Sequence, residues 1–121
     1  MNKIYVYGTL RPGKTTNVVQ IPGILYKLGW FPGVKLDLEA ESGSFVTCEV
    51  VEVDDEELKR LDVYEGYHMD CLNNSLFIRT PILDGFIYEF NGRVEPHDII
   101  ESGDWLENKG HAFGRFQKQE A

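Results

Sequence analysis

A glutamate, Glu65, ends a stretch in which Leu58, Leu61 and Glu65 fall at i, i+3 and i+7. On a helix that spacing puts the carboxylate on the same stripe as the leucines that face the core. Desolvation and the negative end of a helix dipole both disfavour the ionised form, so a carboxyl placed there has a raised pKa. Such a group suits general acid–base chemistry near neutral pH. A frayed helix end that leaves Glu65 in water is the other reading of the same periodicity.

The second chemical feature is a strand-forming run, Ile4-Tyr5-Val6-Tyr7, that drops into Gly8-Thr9-Leu10-Arg11-Pro12-Gly13-Lys14-Thr15. Gly8 to Thr15 fits the letters of a phosphate loop, G-x-x-x-x-G-K-[ST], which needs a helix starting at Gly-Lys-Thr to aim free N–H groups at phosphates. The residues that follow, Thr15, Thr16, Asn17, Val18 and Val19, are poor helix formers and soon meet Pro22-Gly23. Pro12 removes an N–H from the cradle, and no later apolar strand ends in an acid of the magnesium-binding kind. A nucleotide-binding function is therefore the weaker alternative.

His68, Asp70 and Cys71 stand close enough to supply part of a metal site, but no further ligand cluster accompanies them, so no metal is expected. Cys48 and Cys71 have neither redox nor metal spacing and read as reduced thiols. The start, Met1-Asn2-Lys3, does not read as a signal peptide, no apolar run approaches the roughly 20 residues of a membrane span, and the cytoplasm is the expected compartment. The 121 residues carry a net charge of −8, which argues against nucleic acid or an anionic membrane as partner and in favour of a small molecule.

The elements that must position these residues read mainly as strands. Residues 3–7 form one and Val34–Leu38 a second, after punctuation by Gly29, Pro32 and Gly33. Phe45 to Val53 form another, with Phe45, Thr47, Glu49, Val51 and Val53 on one face. Asp54 caps a short helix, Glu57 completes a capping box, and Gly66 ends the helix in a left-handed conformation. Acids such as Glu56 and Asp62 are assigned to its outer faces. Ser75–Ile82 and Phe86–Phe90 follow as a hairpin around Leu83-Asp84-Gly85. With one central helix and no β-α-β alternation, the expected fold class is α+β, a compact mixed β-barrel with one main helix. Residues 1–108 form the domain and 109–121 a polar C-terminal tail.

Tyr7-Gly8-Thr9-Leu10 and Leu61-Asp62-Val63-Tyr64-Glu65-Gly66-Tyr67 together resemble the Y-G-[ST]-x-L and L-D-x-x-E-G-Y motifs of the γ-glutamylcyclotransferase family, in its AIG2-like and γ-glutamylamine cyclotransferase branches. Tyr26 to Gly33, Phe77-Ile78-Arg79 and Ser102-Gly103-Asp104-Trp105 resemble further family segments in the same order. Phe77 stands near Arg79 where the family has a tyrosine, and the Gly13-Lys14-Thr15 extension is shorter and less basic than many family loops.

The resemblance implies a cofactor-independent enzyme of acyltransferase or lyase type that cleaves a γ-glutamyl amide into 5-oxoproline and a free amine or amino acid. Glu65 is the implied catalytic acid/base. Tyr7, Gly8, Thr9, Leu10 and Arg79 are the expected substrate-binding residues, and a γ-glutamyl small molecule the expected partner. A catalytically silent ligand-binding member of the same fold is the alternative. The leaving group and the oligomeric state stay open.

Overall fold

A computed structural model describes residues 1–8, 11 and 17–106. Among the described residues its strands are β1 (Asn2–Val6), β2 (Val18–Lys27), β3 (Pro32–Leu36), β4 (Phe45–Val53), β5 (Phe77–Ile82) and β6 (Gly85–Phe90), with an α-helix, α1 (Asp55–Tyr64), between β4 and β5. The sheet runs β1-β4-β2-β3-β6-β5, and a further pairing of β1 with β6 closes β1, β4, β2, β3 and β6 into a five-stranded barrel with β5 hydrogen-bonded to β6. The expected α+β barrel with one main helix is the observed architecture.

Closure depends on two parallel contacts from β6. Ile4 pairs with Phe86 near one end of β6, and Val34 pairs with Glu89 near the other. All remaining pairings are antiparallel. Closure pairs both sides of each of the five barrel strands, while β5 pairs with β6 alone.

Two apolar clusters form as a result. Tyr5, Tyr7, Ile21, Leu25, Val34, Val46, Cys48 and Ile87 form a core drawn from all five barrel strands, joined by Trp105 from the C-terminal segment. The alternate residues Ile4, Val6 and Tyr88 pack with Val53, Leu58, Leu61 and Phe77, which fastens α1 and β5 against the barrel. The period-2 alternation of β1 thus serves both cores, and the strand is buried on both faces.

Most element boundaries follow the sequence reading, but β5 starts at Phe77 rather than Ser75, and three further points differ. Val18–Lys27 is a ten-residue strand that the reading did not assign, because Pro22 and Gly23 interrupt its pattern. β3 starts at Pro32 and ends at Leu36, earlier than Val34–Leu38. Asp62 does not lie on an outer helix face: its side chain is largely buried beside Arg79 and Tyr88. It is four residues after Leu58, hence on the same side of the helix. The C-terminal tail, 109–121, lies outside the described residues.

Candidate active site

The helix that carries Glu65 is bounded at both ends by local chemistry. The Asp54 carboxylate accepts from the Glu57 backbone N–H at 2.8 Å, satisfying one of the donors left free at a helix N-terminus. At the other end the Gly66 N–H donates to the Val63 carbonyl at 3.1 Å and the Tyr67 N–H to the Asp62 carbonyl at 2.8 Å. This paired closure is a Schellman cap, and it requires the left-handed backbone Gly66 adopts, φ +67. Glu65 sits immediately before that reversal, at φ −85, ψ 0, so the cap sets the direction in which its side chain leaves the helix.

That direction is into a cavity of about 240 Å³, lined among others by Tyr5, Val6, Tyr7 and Gly8 from β1 and its loop, Phe31 and Pro32 at the start of β3, and Phe77 and Tyr88. Trp30, Tyr64 and Leu76 complete the lining and stand largely exposed. The volume lies just below the roughly 300–1,000 Å³ of pockets that hold drug-sized ligands, as suits a small head group. Among the described residues, no hydrogen bond or ion pair engages the Glu65 carboxylate. Burial alone pushes its pKa up to about 7, so the group can both lose and regain a proton near neutrality.

Opposite Glu65, the strand-to-loop junction is tightly built. The Tyr7 hydroxyl donates to the Tyr88 carbonyl at 2.5 Å and accepts from the Val34 N–H at 3.3 Å, so it is held neutral and fixed. Burial, reinforced by the nearby Glu65, raises its pKa well above the usual value. At Gly8 a Cβ would stand 2.7 Å from Pro32 Cγ, so close approach between the two loops demands glycine there.

Arg11 anchors the far end of this loop. Its N–H donates to the Gly8 carbonyl at 3.0 Å, while its buried guanidinium reaches Glu49 and Asp104, each at 2.7 Å. The sequence reading missed this clamp, because Glu49 and Asp104 lie 38 and 93 residues away. Thr9, Leu10 and Lys14 lie outside the described residues.

The structure brings Tyr7, Gly8 and Glu65 together on one cavity. Arg79 is elsewhere. Its guanidinium pairs with Asp62 at 3.2 Å and lies over the Tyr67 and Phe86 rings at 5.4 and 4.8 Å from their centroids. Arg79 is not among the described residues that line this cavity. It shares the strand face of Phe77 but stands two residues further along β5, where it meets Asp62, whereas Phe77 reaches the cavity. Tyr88, by contrast, carried no signal in the sequence beyond its place in a β-rich run.

The residues after the glycine loop bear on the nucleotide alternative. From Val18 they form a strand, so the helix that a phosphate loop requires is replaced by β-structure. Among the described residues, no group of three or more His, Cys, Asp or Glu is placed to hold a metal ion, and no helix is long and apolar enough to cross a membrane. Cys48 and Cys71 are unpaired thiols; burial pushes the Cys48 thiol up to about 12, far from reactive.

Comparison with known proteins returns one consistent relationship. The sequence profile described as gamma-glutamyl cyclotransferase, AIG2-like, matches residues 4–107. A Vibrio cholerae protein provisionally named a gamma-glutamylcyclotransferase is 31% identical over 116 residues, covering 86% of this chain and 95% of its own. The crystal structure of an uncharacterized protein from Pyrococcus horikoshii shares the fold with a TM-score of 0.64 at 23% identity, over 94% of this chain and 98% of that one. The solution structure of ytfP from Escherichia coli gives 0.62 at 27%, over 88% and 98%.

Proposed function

The chain belongs to the AIG2-like γ-glutamyl cyclotransferase family, and on that premise we propose that it converts a γ-glutamyl amide into 5-oxoproline and a free amine, with Glu65 as general acid/base. One observation carries the proposal: the carboxylate, without a protein partner among the described residues, lines the same small cavity as Tyr7 and Gly8. A buried carboxyl at a pKa of about 7 is costly as a structural element and useful as a proton carrier.

The substrate supplies its own nucleophile. Its α-amino nitrogen attacks the γ-carbonyl carbon, forming the ring C–N bond, and the original amide C–N bond breaks as the amine departs. The α-ammonium first loses one proton to solvent and becomes the nucleophilic amine. As it attacks, the Glu65 carboxylate takes a second proton from the same nitrogen and returns it to the leaving nitrogen, so the amine departs neutral, the ring keeps one N–H and no electron acceptor enters. Holding a bent glutamyl head provides the high effective molarity of a ring closure. In this reading Tyr7, Gly8, Thr9 and Leu10 form the glutamyl-binding loop, with backbone N–H groups facing the glutamyl carboxylate or the developing oxyanion. Arg79 acts through Asp62 on the position of the helix. The reading keeps the cytoplasm as the compartment, supported by two cysteines that do not pair.

The test is 5-oxoproline release from a panel of γ-glutamyl amides by the wild type and by Glu65→Gln. Release that Glu65→Gln abolishes supports the reading. Saturable binding of γ-glutamyl amides without turnover by the wild type would instead identify a silent, ligand-binding member of the fold.

A further inference from the structure

The rim of the cavity differs in kind from its floor. Trp30, Tyr64 and Leu76 are 79%, 64% and 49% exposed, yet all three line the cavity that holds Glu65. Scattered exposed apolar residues are ordinary, but three large ones gathered at the mouth of a pocket mark a binding surface.

Each rim residue is fixed by an element that also builds the site. Trp30 rides the tip of the turn closed by the Leu28 N–H donating to the Phe31 carbonyl at 2.8 Å. Its ring meets Phe31 edge-on at 5.5 Å, and Phe31 leads through Phe77, at 6.3 Å, to Phe90, at 5.5 Å. Tyr64 is the last helical residue, next to Glu65. Leu76 is tied to the helix cap by its N–H, which donates to the Gly66 carbonyl at 2.9 Å. An apolar group resting on this rim would sit directly outside the proposed proton carrier.

Charge narrows the choice of occupant. The described lining contains no lysine or arginine, and its one carboxylate is Glu65. With a chain charge of −8, a leaving group carrying its own carboxylates meets repulsion without a compensating cation in that lining.

We propose that Trp30, Tyr64 and Leu76 form the leaving-group subsite, and that it selects γ-glutamyl amides whose departing amine is apolar, aromatic above all, over small or polyanionic ones. The proposal rests on the cyclotransferase reading and specifies its substrate class. The glutamyl head fills the cavity between Gly8 and Glu65, while the amine side chain lies against Trp30 and Tyr64, whose rigid rings give contact area at low entropic cost.

The experiment compares γ-glutamyl benzylamide, γ-glutamyl methylamide and glutathione with the wild type, Trp30→Ala and Tyr64→Ala. The expected kcat/KM for the benzylamide exceeds that for the methylamide by roughly tenfold or more, with glutathione lowest. In each variant that ratio falls at least about fivefold, through KM. Equal rates for the two amides, or a ratio that neither variant moves, would overturn the proposal. Loss of self-association in Trp30→Ala with an unchanged ratio would reassign the rim to a protein contact and also overturn it. Binding titrations on Glu65→Gln separate the two layers. A benzylamide preference in Kd, with no 5-oxoproline from the wild type, removes the reaction and leaves the subsite standing.

Discussion

The Tyr88 hydroxyl donates to Asp62 Oδ1 at 2.7 Å, joining the barrel strand that floors the cavity to the helix turn that precedes Glu65. Arg79 approaches the other oxygen of the same carboxylate at 3.2 Å. One aspartate thereby fixes α1 against both β5 and β6, three residues before the proposed catalytic group.

Arg79→Met tests whether that arrangement positions the helix or binds substrate. Both side chains of the pair are mostly buried, so the loss leaves the Asp62 charge held by Tyr88 alone and destabilises the fold by about 1–3 kcal/mol. Turnover falls through kcat while KM stays within a few-fold. A tenfold rise in KM without a change in the melting curve would return Arg79 to the substrate.

Glu65→Gln preserves size and hydrogen-bonding reach but cannot accept and return a proton. Its single-turnover rate is expected to drop by about 10²–10⁴-fold while a γ-glutamyl amide still binds. Wild-type-like rates in a well-folded variant would sink the mechanism.

The same residue sets a pH dependence of stability. The folded chain holds the Glu65 proton up to about pH 7, whereas the ordinary value is 4.5, so between these values the folded state binds more protons than the unfolded one. Stability therefore decreases as pH rises through that window. At about 1.4 kcal/mol per pH unit over this window the contribution amounts to at most about 3–4 kcal/mol. In denaturant titrations from pH 4.5 to 8, Glu65→Gln should lack this step and gain on the wild type as pH rises. Parallel curves would show that the carboxyl is not desolvated.

Gly8→Ala probes the narrow join between the loops. The backbone at Gly8 is not left-handed, so the obstacle is the contact with Pro32, which a new Cβ would force aside. The expected result is a raised KM or a lower melting temperature, and unchanged values of both would place the glutamyl site elsewhere.

Gly66→Ala examines the helix cap. A side chain in the left-handed region costs about 1 kcal/mol and would press on Leu76, with a new Cβ 3.2 Å from Leu76 Cβ. Melting and kcat should fall together, since the cap aims Glu65; a kcat unaffected by a measurable loss of stability would detach the cap from the chemistry.

What the sequence determined by itself was mostly local. Asp54, Glu65 and Gly66 are legible because a cap, a stripe and a left-handed turn depend on residues within one or two helical turns. The β-rich run at Phe45–Val53 and the hairpin around Leu83-Asp84-Gly85 follow from alternation and turn chemistry in the same way. Tertiary structure decided what depends on distant partners. The strand interrupted by Pro22-Gly23 gains its ladder from β3 and β4, and parallel closure through β6 brings Ile4 to Phe86. Likewise, Arg79 is turned from the cavity toward Asp62, and Trp30, Tyr64 and Leu76 are gathered at one rim although they lie up to 46 positions apart in the chain. No spacing rule reaches across such separations: which side chains meet there is fixed by barrel closure and packing, not by the neighbours of each residue along the chain.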